Sequence, residues 1–167
     1  MLLILWYALF MSSLSKKLVI FGAEYLVVLA GIIFVYVGFS KTTSTNPVLF
    51  IFSGVVLILV SLFVAHILKK LFHKKRPPKN QELFIPADRY AFPSEHATAL
   101  AALSVIVVSE NVLLGVVVII TGLVIVICRV LARVHRPQDM VLGSMIGAAI
   151  AYSGLLYLAP LVEKIFN

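Results

Sequence analysis

Between Cys128 and Asp139 a long apolar run is broken by Arg129, Arg133, His135, Arg136 and Asp139. Charged groups are costly in hydrocarbon, so such a cluster beside a membrane-length segment marks a functional site by default. Pro137 suits the first position of a helix, where its missing N–H costs nothing. His135 then stands just before a helix N-terminus, with Asp139 about one turn inside. From there the carboxylate can reach back towards the imidazole. An oriented histidine facing Arg129, six residues earlier, is what nucleophilic attack on a phosphate requires. The same residues fit a plainer reading, in which Asp139 caps the helix and the arginines anchor it at the headgroups.

The elements that must position these groups are membrane helices. The chain has 167 residues, 62% of them hydrophobic, and a mean hydropathy of +1.09. Soluble domains average about 45–50% apolar residues. The expected fold is therefore an all-α integral membrane protein, a bundle of five to six transmembrane helices forming a single domain over residues 1–167. The net charge of +7 points to anionic headgroups or an anionic lipid substrate, not to nucleic acid. Cys128 is the single cysteine, which excludes an intramolecular disulfide and a cysteine-rich metal site. The N-terminus shows no basic region followed by a cleavage site, so it is expected to be retained.

Residues 2–14 are apolar but short for a span, which needs about 20 residues. They read as an interfacial or tilted helix, or as part of a first span. Lys16 and Lys17 mark a membrane boundary. Residues 18–39 can cross, with Glu24 as a lone acid near the interface. A polar turn, 40–46, leads to a span over 47–72 whose last turns become basic. Pro77 and Pro78 end that helix, since neither donates a backbone N–H. The loop to Phe92 is the longest polar segment, with Tyr90 and Phe92 placed as headgroup-level aromatics. Ser94 is a good N-cap for a helix over about 95–108, which puts His96 in its first turn. Glu110 and Asn111 make a short turn, residues 112–133 span back, and a last span runs from 136 or 137 to about 165. In it Gly143 and Gly147, with Ala148, form a small-residue seam.

This topology gathers distant polar segments at one membrane face. The span ending at Phe72 delivers Lys69 and Arg76 there, and the chain re-enters at Ser94–His96. It crosses, returns, and delivers Arg129 and His135 to the same face. The segments Lys69-x6-Arg76-Pro77, Pro93-Ser94-Glu95-His96 and Arg129-x5-His135-x3-Asp139 resemble the three signature motifs of the type 2 phosphatidic acid phosphatase (PAP2) superfamily. The resemblance covers residues 47–160. Glu95 stands where the family commonly has glycine, and Cys128 where it commonly has serine. An acid at the Glu95 position is similar to the Pro-Ser-Asp-His of bacterial undecaprenyl-pyrophosphate phosphatases.

The resemblance implies a membrane lipid phosphatase that acts through a phosphohistidine. It makes His135 the nucleophile, Asp139 the group orienting its ring, and His96 the acid and base. Lys69, Arg76, Arg129 and Ser94 would bind the phosphate oxygens. No cofactor and no metal are expected. Undecaprenyl pyrophosphate and lipid A 1-phosphate are the implied substrates, with phosphatidylglycerophosphate or phosphatidate as alternatives. A non-catalytic lipid-binding or transport subunit is the competing class, disfavoured because both histidines and Asp139 are present. His66 and His73 match no motif and read as packing or interfacial residues. Lys70, Lys74, Lys75, Lys79, Arg89, Arg133 and Arg136 read as headgroup contacts. Glu95 fits either a tuner of His96 or an exposed residue. Twelve of the fourteen Lys and Arg residues fall on the site's face, which by the positive-inside rule is cytoplasmic. The bacterial relatives place the site on the periplasmic or external face of the inner membrane, and that is the expectation taken here.

Overall fold

The computed structural model describes residues 13–40, 46–76 and 90–166. Most of the apolar stretch 2–14, Lys41 and most of the polar loop after Arg76 lie outside the described residues. Among those described, the chain forms six helices: α1 (Ser13–Glu24), α2 (Leu26–Phe39), α3 (Pro47–Phe72), α4 (Glu95–Glu110), α5 (Val112–Leu131) and α6 (Pro137–Phe166).

The caps follow local chemistry. Asn46 accepts a hydrogen bond from Val48 N at 3.0 Å and Pro47 takes the first turn of α3. Asn111 separates α4 from α5 and caps α5 by accepting from Leu114 N at 2.9 Å. Asparagine at these positions replaces a helix donor's missing partner. The expected helix over 18–39 is broken at Tyr25 into α1 and α2. Neither a proline nor a polar cluster marks that break, and the lone acid beside it, Glu24, does not by itself announce one.

Among the described residues, four stretches are long and apolar enough to cross a membrane: Ser15–Phe39, Pro47–Phe72, Val112–Leu131 and Pro137–Leu158. Their outer faces carry large exposed apolar side chains, among them Phe52, Phe63, Ile120, Leu123 and Tyr152, as a lipid-facing surface requires. The protein is an all-helical integral membrane bundle. Its centre is α4, a helix of 16 residues, packed against α3, α5 and α6. Leu100, Ala102, Leu103, Ile106 and Val107 of α4 join Phe34, Phe50, Leu57, Val118, Ile125 and Ala151 in one core.

Gly143 and Gly147 let α6 lie directly on α4. A Cβ on Gly143 would come 2.7 Å from the Ser94 carbonyl oxygen, and one on Gly147 would collide with the carbonyl of Thr98. The seam expected from their four-residue spacing is thus the α4–α6 contact. It brings the first turns of both helices to one end of the bundle, where the polar residues meet.

Candidate active site

The site is framed where α3 ends. His73 takes a left-handed conformation (φ 46°), and its N–H still closes on the Lys69 carbonyl at 3.2 Å. The chain turns there and meets the segment before α4. Lys74 O accepts from Ala91 N at 2.8 Å, and Lys75 bridges to Tyr90. The rings of Phe72 and Phe92 meet edge to face at 5.1 Å, as do His73 and Tyr90 at 4.9 Å. Tyr90 and Phe92, expected at headgroup level, fasten the two segments of the frame together. Edge-to-face pairs of this kind add about 0.5–1.5 kcal/mol beyond the area they bury.

The N-terminus of α4 is fixed to α6 through its backbone. Ser94 N donates to Asp139 O at 3.1 Å, while Ser94 O accepts from Thr98 N at 3.0 Å and Thr98 Oγ1 at 2.9 Å. Ser94 occupies the N-cap position, but its hydroxyl makes no capping bond. Its Oγ is buried and finds no hydrogen-bond partner among the described residues. A buried hydroxyl in that state is an available donor for an incoming oxygen atom.

His135 is 4% exposed, in the turn between α5 and α6. Its Nδ1 lies 2.9 Å from the carbonyl oxygen of Ala91. A carbonyl can only accept, so Nδ1 carries the proton and Nε2 the lone pair. Arg76 Nη1 lies 3.3 Å from that Nε2 and donates to Val134 O at 2.9 Å. Burial first, then the Arg76 and Arg129 guanidiniums, push the His135 imidazole down to about 2, against the opposing bond to Ala91. Its ring is therefore neutral at physiological pH.

Asp139 is fully buried and does not serve His135. Its Oδ2 accepts from Arg136 N at 3.1 Å, which is the helix-capping role, and its Oδ1 accepts from Lys74 Nζ at 2.6 Å. The resemblance assigns ring orientation to Asp139, whereas in this structure the Ala91 carbonyl holds the ring. Lys74 was read as a headgroup contact, yet it turns inwards, with Nζ 5.3 Å from the centre of the Phe92 ring. Neither residue type signals this in sequence. A backbone carbonyl has no side-chain signature, and Lys74 looks like its basic neighbours until the turn at His73 redirects it.

Lys69 is 3% exposed, and its ammonium lies 2.9 Å from Glu95 Oε1. That carboxylate is also 3.5 Å from Nδ1 of the half-exposed His66. Glu95, undecided from sequence, is thus paired with a motif lysine. Arg129, 5% exposed, donates from Nη1 to Ala23 O of α1 at 2.9 Å. Glu24, at the end of α1, also lies within electrostatic reach of Arg129. Lys69, Arg76 and Arg129 all act electrostatically on both His135 and His96. The structure therefore gathers every sequence-derived candidate into one region: His135, His96, Asp139, Lys69, Arg76, Arg129 and Ser94. Three cations around a neutral imidazole whose Nε2 carries a lone pair can bind a phosphate and attack it.

The fold has a counterpart among solved structures. The transmembrane PAP2-type phosphatidylglycerolphosphate phosphatase of Bacillus subtilis, a crystal structure, is similar in fold with a TM-score of 0.64 at 16% identity. The match covers 95% of this chain and 82% of that one. The sequence profile of the PAP2 superfamily matches residues 50–162, which take in all three motif segments. The chain belongs to the PAP2 superfamily.

Proposed function

We propose that this protein hydrolyses the phosphate or pyrophosphate of an anionic membrane lipid, undecaprenyl pyrophosphate or lipid A 1-phosphate, through a phosphohistidine on His135. At the coarser level it is a multi-pass membrane lipid phosphatase, a hydrolase of phosphate esters. The observation that carries the finer reading is the His135 ring, with Nδ1 tied to Ala91 and Nε2 beside Arg76.

Burial and the Arg129 charge keep His96 neutral in the empty site, and the anionic phosphate, by offsetting the cations, lets it take up a proton. In the first step the Nε2 lone pair attacks phosphorus and the bond to the leaving oxygen breaks, with the protonated His96 giving that oxygen its proton. In the second, His96 takes a proton from water. The resulting oxygen attacks phosphorus, the P–N bond breaks, and inorganic phosphate leaves with the lone pair restored to His135. This is covalent catalysis with one group serving as acid and then as base. Lys69, Arg76, Arg129 and Ser94 Oγ hold the phosphate oxygens and offset charge in the transition state. No cofactor enters either step.

A lipid tail has a place beside the chemistry. A cavity of about 420 Å³ between α4, α5 and α6 is lined by Ala97, Leu100, Gly122, Leu123, Met145 and Ala148. It begins one residue from His96. The catalytic face is proposed to be external to the bacterial inner membrane, in line with the relatives. Phosphatidylglycerophosphate is a second reading, favoured by the activity named for the similar Bacillus subtilis protein.

A panel of purified lipids, with free phosphate as the readout, tests the substrate. Release from undecaprenyl pyrophosphate or lipid A at rates well above those from phosphatidylglycerophosphate is expected. The reverse ranking would assign the second reading. No release from any lipid, with binding retained, would point to the non-catalytic class.

A further inference from the structure

The two-step chemistry gives Glu95 no task, yet its carboxylate stands in the cradle. Lys69 Nζ, a phosphate ligand in the proposed reading, lies 2.9 Å from Glu95 Oε1. An ammonium only 3% exposed needs a counter-charge, because an uncompensated buried cation is strongly destabilising. Glu95 supplies one while the cradle is empty. A phosphate arriving at Lys69 brings a second anion to the same ammonium, and like charges at such range repel.

The carboxylate also has somewhere to go. Its side chain is 34% exposed, and the imidazole of His66, 51% exposed, is already within 3.5 Å. His66 precedes Lys69 by three residues on α3, so the two lie on one helix face. Glu95 can thus exchange an inward partner for an outward one with a small side-chain movement.

We infer that Glu95 competes with phosphate for Lys69. Its carboxylate neutralises Lys69 in the empty site, yields towards His66 when a substrate phosphate binds, and returns to Lys69 as inorganic phosphate leaves. Two buried cations, Lys69 and Arg129, together with the partly buried Arg76 would otherwise hold the product tightly, and product release sets the rate of many enzymes. Glu95 is a positioning residue by this account, acting on affinity through Lys69. The inference rests on Lys69 being a phosphate ligand, as the proposed function has it.

The test is calorimetric titration of inorganic phosphate into purified protein in detergent, which needs no lipid to be turned over. Glu95→Gln should bind phosphate roughly tenfold more tightly than the parent, as expected for removing one competing charge at a partly exposed pair. Glu95→Ala should do the same, which covers misfolding of either variant alone. Glu95→Asp retains the charge and should stay nearer the parent. In a Lys69→Ala background Glu95→Gln should make little difference. Equal or weaker phosphate binding in both neutral variants would overturn the inference while leaving the phosphatase reading intact. A tenfold gain that persists without Lys69 would overturn it too, by showing a general field effect. Absence of phosphate binding by the parent itself would remove the underlying cradle, and the inference with it.

Discussion

His135 shows how a residue's role depends on a partner that sequence does not display. The motif spacing placed the imidazole beside Arg129 and Asp139. It could not show that Ala91 O takes Nδ1 or that Lys74 occupies Asp139. Two predictions belong here. Replacing the proposed nucleophile, His135→Ala should abolish lipid phosphate release, because no neighbouring group can form the intermediate. It should leave phosphate binding largely intact, because Lys69, Arg76 and Arg129 remain. Arg129→Ala should weaken both, with a loss of about 10²–10³ in turnover, the usual effect of removing one transition-state donor. Turnover surviving in His135→Ala would remove the covalent mechanism.

The second concerns pH. The folded protein lowers His135 from 6.5 to about 2, so below pH 6.5 the unfolded chain binds a proton that the native chain refuses. Stability from this group is complete above about 6.5 and is lost progressively as pH falls towards 2. The proposed nucleophile itself stays neutral across pH 5–8. Nitrogen-15 spectra of labelled histidines in the empty protein should show one imidazole neutral, with its proton on Nδ1, down to pH 5. Protonation of that ring near 6.5 would contradict the buried, cation-flanked environment.

At the scale of elements, the small-residue seam was legible because glycines four apart have few other uses on a membrane helix. Its consequence was not, since spacing alone does not say which helix approaches. The partner is α4, and the contact carries Ser94 and His96 up against the start of α6. Gly147→Ala should therefore lower the thermal midpoint in detergent, with a cost of about 1–3 kcal/mol for overpacking against backbone. It should also reduce turnover by shifting the Ser94 N–Asp139 O contact that ties the helix starts together. A variant as stable and active as the parent would show that the seam is looser than its geometry implies. The boundaries of α3 and α5 were readable from Pro47, Asn46 and Asn111. The break at Tyr25 was not, since caps and prolines announce ends and an unmarked kink announces nothing.

For the whole molecule, the order of the spans was the most informative reading, because it placed three distant segments at one face before any contact was known. The structure brings them together there, with α1 supplying a carbonyl to Arg129 from the opposite end of the sequence. That contact was invisible in sequence, because Ala23 is one apolar residue among many. Which side of the membrane this face occupies is a separate matter, and two physical arguments oppose each other. Basic residues crowd the site's face: Lys16, Lys17, Lys70, Lys75 and Arg136 are exposed there. Charge bias of this kind normally keeps a face cytoplasmic. Some of that charge is internal, however. Lys69, Arg76 and Arg129 lie around the two histidines and form the proposed cradle, and Lys74 pairs with Asp139, so these four are engaged within the protein and are not free topological signals. The proposed external orientation makes a direct prediction. Lys75→Cys, at an exposed position on that face, should react in intact cells with a membrane-impermeant maleimide. The parent, whose Cys128 lies within α5, serves as the control for background labelling. Labelling that appears only after the membrane is broken would place the site in the cytoplasm and confine its substrates to lipids of the inner leaflet.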